Sequence, residues 1–282
     1  MTMQRYLIKK IRGMPATDGA GVELVRVIGQ PALNMLDPFL LLDAFRSDNA
    51  DDYIAGFPAH PHRGFETVTY LLNGKMRHQD NAGHEGVIEP GGIQWMTAGR
   101  GIIHSEMPEQ EDGMLEGFQL WVNLPAQHKM DAPHYQEYAQ DKIPIEQRAG
   151  CSIRVITGTT SQGTSGPVVQ PLTQPLYLDI TLQAGHSFCE AVDPTHNAFV
   201  YGIQGEVRIP DAKQLEQGIH KDQLGILSQG DTLTLTAGSE GSRFLFISGR
   251  PLNEPVARGG PFVMNTEQEV RQAFSDYRAG KF

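Results

Sequence analysis

The chain has 282 residues, 39% of them hydrophobic and 20% charged, with a formal net charge of -10 at pH 7. That acidic balance excludes an extended phosphate-binding face, and no apolar run reaches the length of a membrane helix. The length suits two ordinary domains better than one large one.

In chain order, the opening "MTMQRYLIKKIRGMPATDG" has basic residues but no apolar core and no small-residue cleavage site, so it is not read as a secretory signal. Its "RYLIKKIRG" alternates like a strand, and the protein is expected in the cytoplasm. Short β-like runs follow: "FETVTYLLNG", "EGVIEPGGIQWMTAG" and "EGFQLWVNLP". The polar, proline-marked "AQHKMDAPHYQEYAQDKIPIEQ" reads as a connecting segment, with a domain boundary near residue 135. Beyond it, "LYLDITLQAG", "NAFVYGIQGEVRIP" and "DTLTLTAGSEGSRFLFISG" continue the pattern, and "TTSQGTSGPVVQP" reads as a surface loop.

Strands of this length between turn residues predict an all-β sandwich or barrel, and the long amphipathic helices of a βαβ fold are absent. One helix is predicted, in "NTEQEVRQAFSDYRAGKF". Thr266 and Glu269 form a capping box, Val270, Ala273, Phe274 and Tyr277 form one apolar stripe, and Gly280 is the stop. The halves echo each other: "ETVTYLLNGKM" resembles "NAFVYGIQGEV", aligning Gly74 with Gly205, and "EPGGIQWMTAG" resembles "SQGDTLTLTAG", aligning Gly92 with Gly230. This implies a tandem duplication of one β-barrel. Cys151 and Cys189 belong to no zinc-ligand pair and are expected as two reduced, buried thiols rather than a disulfide.

The chemistry concentrates in "GFPAHPHRGFETVTYLLNG" and "TAGRGIIHSEMPEQ". His60 and His62 are two apart, as are His104 and Glu106, so each pair shares one face of a strand. Neighbouring strands of a small barrel would aim three imidazoles and one carboxylate at a common centre. Burying such groups without a partner is costly, which favours a metal. Imidazole accepts iron, nickel, copper or zinc, and an oxygen ligand with open positions favours iron. The other histidines, His78, His84, His128, His134, His186, His196 and His220, are read as surface or hydrogen-bonded core residues.

Together "HPHRGFETVTYLLNG", "QWMTAGRGIIHSEMP", "GFQLWVNLP" and "GPFVMNTEQE" resemble the pirin family of the cupin superfamily, from "DPFLLLDAF" to the last helix. The resemblance implies two tandem cupin (jelly-roll) β-barrels with a short C-terminal helix. Residues 1–135 would be the metal-binding barrel and residues 136–282 a degenerate one. It implies one metal, held by His60, His62, His104 and Glu106: Fe(II) first, with Ni, Cu, Mn or Zn compatible. Glu66, a ligand position in many cupins, would instead orient an imidazole. In the second half the repeat puts Ala191, Asp193 and Asn197 where His60, His62 and Glu66 stand, so no second metal is expected.

Pirins resemble quercetin 2,3-dioxygenases. A flavonol chelating the metal through its 3-hydroxyl and 4-carbonyl oxygens, with O2 as co-substrate, would pass its hydroxyl proton to Glu106 as the catalytic residue. Phe57, Met96, Phe118 and Trp121 are candidates for the apolar lining. The alternative is a non-catalytic, redox-responsive regulator acting through a protein partner, as some pirins do. The chain is expected to be a monomer with no direct contact to nucleic acid or membrane.

Overall fold

A computed structural model describes residues 3–282. The alternating runs are strands, and Glu267–Arg278 is the one α-helix among the described residues. The fold is all-β, with two cupin-type units of antiparallel sheet and a C-terminal helix. No helix among the described residues is long and apolar enough to cross a membrane.

The compact units interleave in sequence. One gathers Asp141–Pro251, Gln30–Pro38 and the N-terminal segment up to Met14; the other gathers Pro15–Gly29, Phe39–Gln140 and Leu252–Phe282. This differs from two contiguous halves meeting at residue 135. The opening strand Leu7–Arg12 pairs with Gln223–Leu227, a partner so distant in sequence that no local pattern announces it. The stretch read as a connector supplies edge strands instead. His134–Tyr138 pairs with Ile93–Thr97, and Ile145–Arg148 pairs with Cys151–Thr157. Edge strands keep polar side chains toward water, and so look like linkers.

In the unit built around Asp141–Pro251, a nine-stranded sheet has the long strands Asn197–Pro210 and Thr232–Gly249 at its centre. Leu178, Ile180, Phe188, Val200, Phe244 and Phe246 pack in its core. Arg5 is fully buried. Its guanidinium donates to the carbonyls of Gly230 (2.8 Å), Ser228 (2.9 Å), Asp193 (2.7 Å) and His196 (3.0 Å). Burial lowers its pKa to about 10. Both cysteines are free; Cys151 is buried as expected, but Cys189 is exposed. It takes an outward position on Ser187–Ala191, whose inward residues are Phe188 and Glu190.

The other unit has a seven-stranded sheet and a four-stranded one, the latter in the order Phe57–His62, Ile102–Pro108, Met76–Asp80, Glu85–Ile88. Side chains of the two sheets meet: Phe65 packs edge-on to His62 at 5.1 Å, and Thr69 bonds Glu106. The terminal helix has the predicted capping box at Thr266 and Glu269. Val270 and Ala273 are buried, while Phe274 packs on Phe262 at 4.8 Å. Gly280 takes the left-handed conformation of a helix stop (φ 66°). Gly74 and Gly205, aligned by the repeat, share that conformation (φ 81° and 68°).

Candidate metal centre

His60 and His62 end one edge strand of the four-stranded sheet, and His104 lies opposite His60 on the adjacent strand. Ring centroids are separated by 4.7 Å (His60–His62), 4.5 Å (His60–His104) and 5.1 Å (His62–His104). Each ring offers a nitrogen within 4.8 Å of the others, a cluster able to hold a metal ion. His60 Nδ1 lies 2.8 Å from the Pro58 carbonyl, which can only accept. Nδ1 is therefore the donor in that bond, and Nε2 lies 3.0 Å from His62 Nε2.

Burial is the main force on the other two imidazoles. Desolvation first, then the positive charge His104 and His60 would carry, hold the pKa of His62 well below the ordinary imidazole value. His104 is lowered for the same reasons, by burial and then by His60 and His78. Both are neutral at physiological pH, the form that ligates metals. Both ring nitrogens of His104 are buried without a hydrogen-bond partner. Leaving such atoms unmatched is costly, and a cation coordinated by the cluster would relieve that cost at the one nitrogen that binds it. The residues fit a divalent metal.

Glu106 shares the inward face of Ile102–Pro108 with His104, as the spacing predicted. Its carboxylate accepts from Thr69 Oγ1 (2.7 Å) and Gln119 Nε2 (2.8 Å). The imidazole cluster is thus three residues, with Glu106 buried on the wall of the same cavity.

Two segments match family models: residues 21–122 match that of pirin, and residues 177–282 that of the pirin C-terminal cupin domain. A pirin-like protein of Caulobacter vibrioides is 51% identical over 280 residues, covering 99% of each chain. Human pirin is 44% identical over 268 residues, covering 94% of this chain and 89% of that one. The chain belongs to the pirin family. A crystal structure of quercetin 2,3-dioxygenase from Acinetobacter baumannii superimposes with a TM-score of 0.88 at 32% identity, covering 99% of this chain and 98% of that one.

In this pirin His60 and His62 open onto a cavity of about 600 Å³, whose lining does not include His104. Phe57 and Trp121 line it as expected, joined by Leu24, Leu41 and Phe45. Met96 and Phe118 do not. Met96 packs with Ala98 and Ile102, and Phe118, three residues before Trp121 on one strand, faces the opposite way. Trp121 is placed by Phe65 (4.3 Å) and His62 (5.3 Å), and the Arg258 guanidinium lies over its ring at 4.9 Å.

Glu66 is buried and accepts from Thr97 Oγ1 at 2.6 Å. His78, read from sequence as an ordinary histidine, lies opposite Glu106 on Met76–Asp80, with Nε2 2.6 Å from Glu137. Its signal was the alternation of His78 and Asp80 in "MRHQD", visible only once that strand is paired with the one carrying His104. Thr69 and Gln119 carried no signal, since neither residue type nor spacing marks a carboxylate anchor.

Proposed function

We propose that this pirin is a mononuclear metal-dependent flavonol 2,3-dioxygenase. The observation that carries this reading is the cluster of three close imidazoles, of which His62 and His104 are buried and held neutral, with His60 and His62 facing a largely apolar cavity large enough for a planar aromatic. His60, His62 and His104 would hold the ion, with Glu106 able to join them. Fe(II) is the first candidate, and nickel, copper, manganese and zinc suit the same donors. When bound, the metal would supply Lewis acidity toward the flavonol oxygens and sites for substrate and O2.

The chain's own residues do the rest. Phe57, Leu41 and Trp121 exclude water and fix the ring plane. The Nδ1–H bond from His60 to Pro58 keeps Nε2 turned toward the cluster. Glu106, held by Thr69 and Gln119 in the geometry of an acceptor, takes the proton of the flavonol 3-hydroxyl. Both donors address the carboxylate, so its position survives the transfer. Ring opening would release carbon monoxide.

The test is anaerobic loading with iron, then quercetin and oxygen. The expected result is loss of the flavonol band with matching O2 uptake. Absence of turnover with iron, nickel, copper, manganese or zinc would overturn the enzymatic reading.

A further inference from the structure

Two guanidinium groups border the cavity, and they are used differently. Arg26 is engaged by carboxylates: its Nε and Nη2 donate to the two oxygens of Asp43 (2.9 and 2.7 Å), and Nη2 also meets Asp18 at 2.6 Å. Arg258 donates once, from Nη1 to the Leu40 carbonyl at 3.3 Å, and otherwise rests on Trp121. Among the described residues no carboxylate forms an ion pair with it. Arg258 is exposed on Ala257–Gly259, and a guanidinium carries five donors in a planar fork, so most of those on Arg258 face solvent and are open to a ligand.

Electrostatics point the same way. Partial burial, and then the charge of Arg26, lower the pKa of Arg258, while Asp43 and Asp18 act against them. The formal charges of Asp18, Asp43, Arg26 and Arg258 cancel, so an incoming anion meets no net repulsion from them. The two aspartates already share Arg26, which leaves Arg258 as the cation with capacity for a further partner. Trp121 touches both Arg258 and His62, so a flat ligand lying along the indole would reach from the imidazoles to the guanidinium.

We propose that Arg258 is a specificity-determining residue that binds an ionised oxygen on the ligand. The preferred substrates are then planar aromatics bearing a carboxylate or an ionised phenol on the part lying along Trp121. The inference rests on reading the cavity as a site for flavonol-type aromatics and adds the charge that such ligands carry.

The experiment is calorimetric titration of the full chain, metal-loaded and metal-stripped, with 2-naphthoate and its neutral isostere 2-naphthamide. Wild type should prefer naphthoate by about tenfold in both forms. Arg258→Met should bring the two affinities together while still binding naphthamide, and Arg258→Lys should retain part of the preference. Circular dichroism establishes that the variants are folded. Equal affinities in wild type, or a preference unchanged in Arg258→Met, would overturn the proposal. So would a preference that vanishes when the metal alone is stripped, which would assign the carboxylate to the metal. Quercetin turnover separates the two readings. Selectivity without turnover leaves Arg258 assigned and removes the dioxygenase; turnover without selectivity does the reverse.

Discussion

Two buried clusters, one in each unit, treat polar side chains in opposite ways. In the unit around Asp141–Pro251, buried charges are matched. Arg148 meets Glu146 at 2.5 Å and Glu190 at 2.6 Å, Arg243 forks onto Asp179 at 3.0 and 2.7 Å, and Arg5 addresses four carbonyls. Where the repeat aligns Asp193 with His62, the aspartate accepts from the backbone and hydroxyl of Thr195 and caps a turn. In the other unit, His104 has neither nitrogen matched and its neighbours are other imidazoles. A buried polar group with its partners in place is explained by stability. One without them, set among other metal-ligating side chains, is where a ligand is expected.

That contrast is most directly broken by removing an imidazole. His62→Ala or His104→Ala should lower bound metal from one ion per chain to none by elemental analysis. Added metal at a hundredfold excess over its dissociation constant should stabilise wild type by about 2.7 kcal/mol and leave either variant unmoved. A variant that still binds one ion would place the site elsewhere.

A smaller effect is expected at Glu106. Glu106→Gln keeps the shape but loses the basic oxygen, and should lower kcat for quercetin by about a hundredfold or more with metal content retained on the three imidazoles. Unchanged kcat would remove Glu106 from the chemistry.

Arg5 sharpens the other side of the comparison. Arg5→Met would strand four carbonyl acceptors and should cost about 2–3 kcal/mol of stability, read from the denaturant midpoint, without changing metal content in the protein that remains folded. Loss of metal with Arg5 would contradict the separation of matched and unmatched groups.

The smallest effect is electrostatic. Asp276, beside Arg63 at 2.9 Å, has its pKa lowered to about 2, chiefly by that hydrogen bond. A carboxylate whose folded pKa is depressed contributes stability above its unfolded pKa near 3.8, and loses it as pH falls toward 2. Asp276→Asn should therefore be slightly less stable than wild type at neutral pH. The difference should shrink in acid unfolding curves between pH 4 and 2. A constant offset across that range would show that the pair is not linked to protonation.

Much of this was legible in the residues. Two histidines two apart, then a histidine and a glutamate two apart, fix which faces carry the imidazoles and the carboxylate, because strand geometry leaves no choice. The capping box at Thr266 and the stop at Gly280 are local signals of the same kind. The cavity lining was legible only in part. Phe118 could have been excluded from sequence, being an odd number of positions from Trp121 on one strand. Arg258 could not have been included, because it lies 137 residues beyond Trp121 and no pattern links them. The exposure of Cys189 likewise depends on which face of its strand met the core.

The amino-acid sequence by itself determined the β architecture, the terminal helix and the inward-facing residue types, since each depends on periodicities of two or 3.6 residues and on turn chemistry that short segments contain. Tertiary structure alone decided that Leu7–Arg12 completes the sheet of the later unit, that Thr69 and Gln119 hold Glu106, and that Arg258 covers Trp121. These contacts join segments whose separation is set by chain topology, and a local pattern carries no information about which distant surface will meet it.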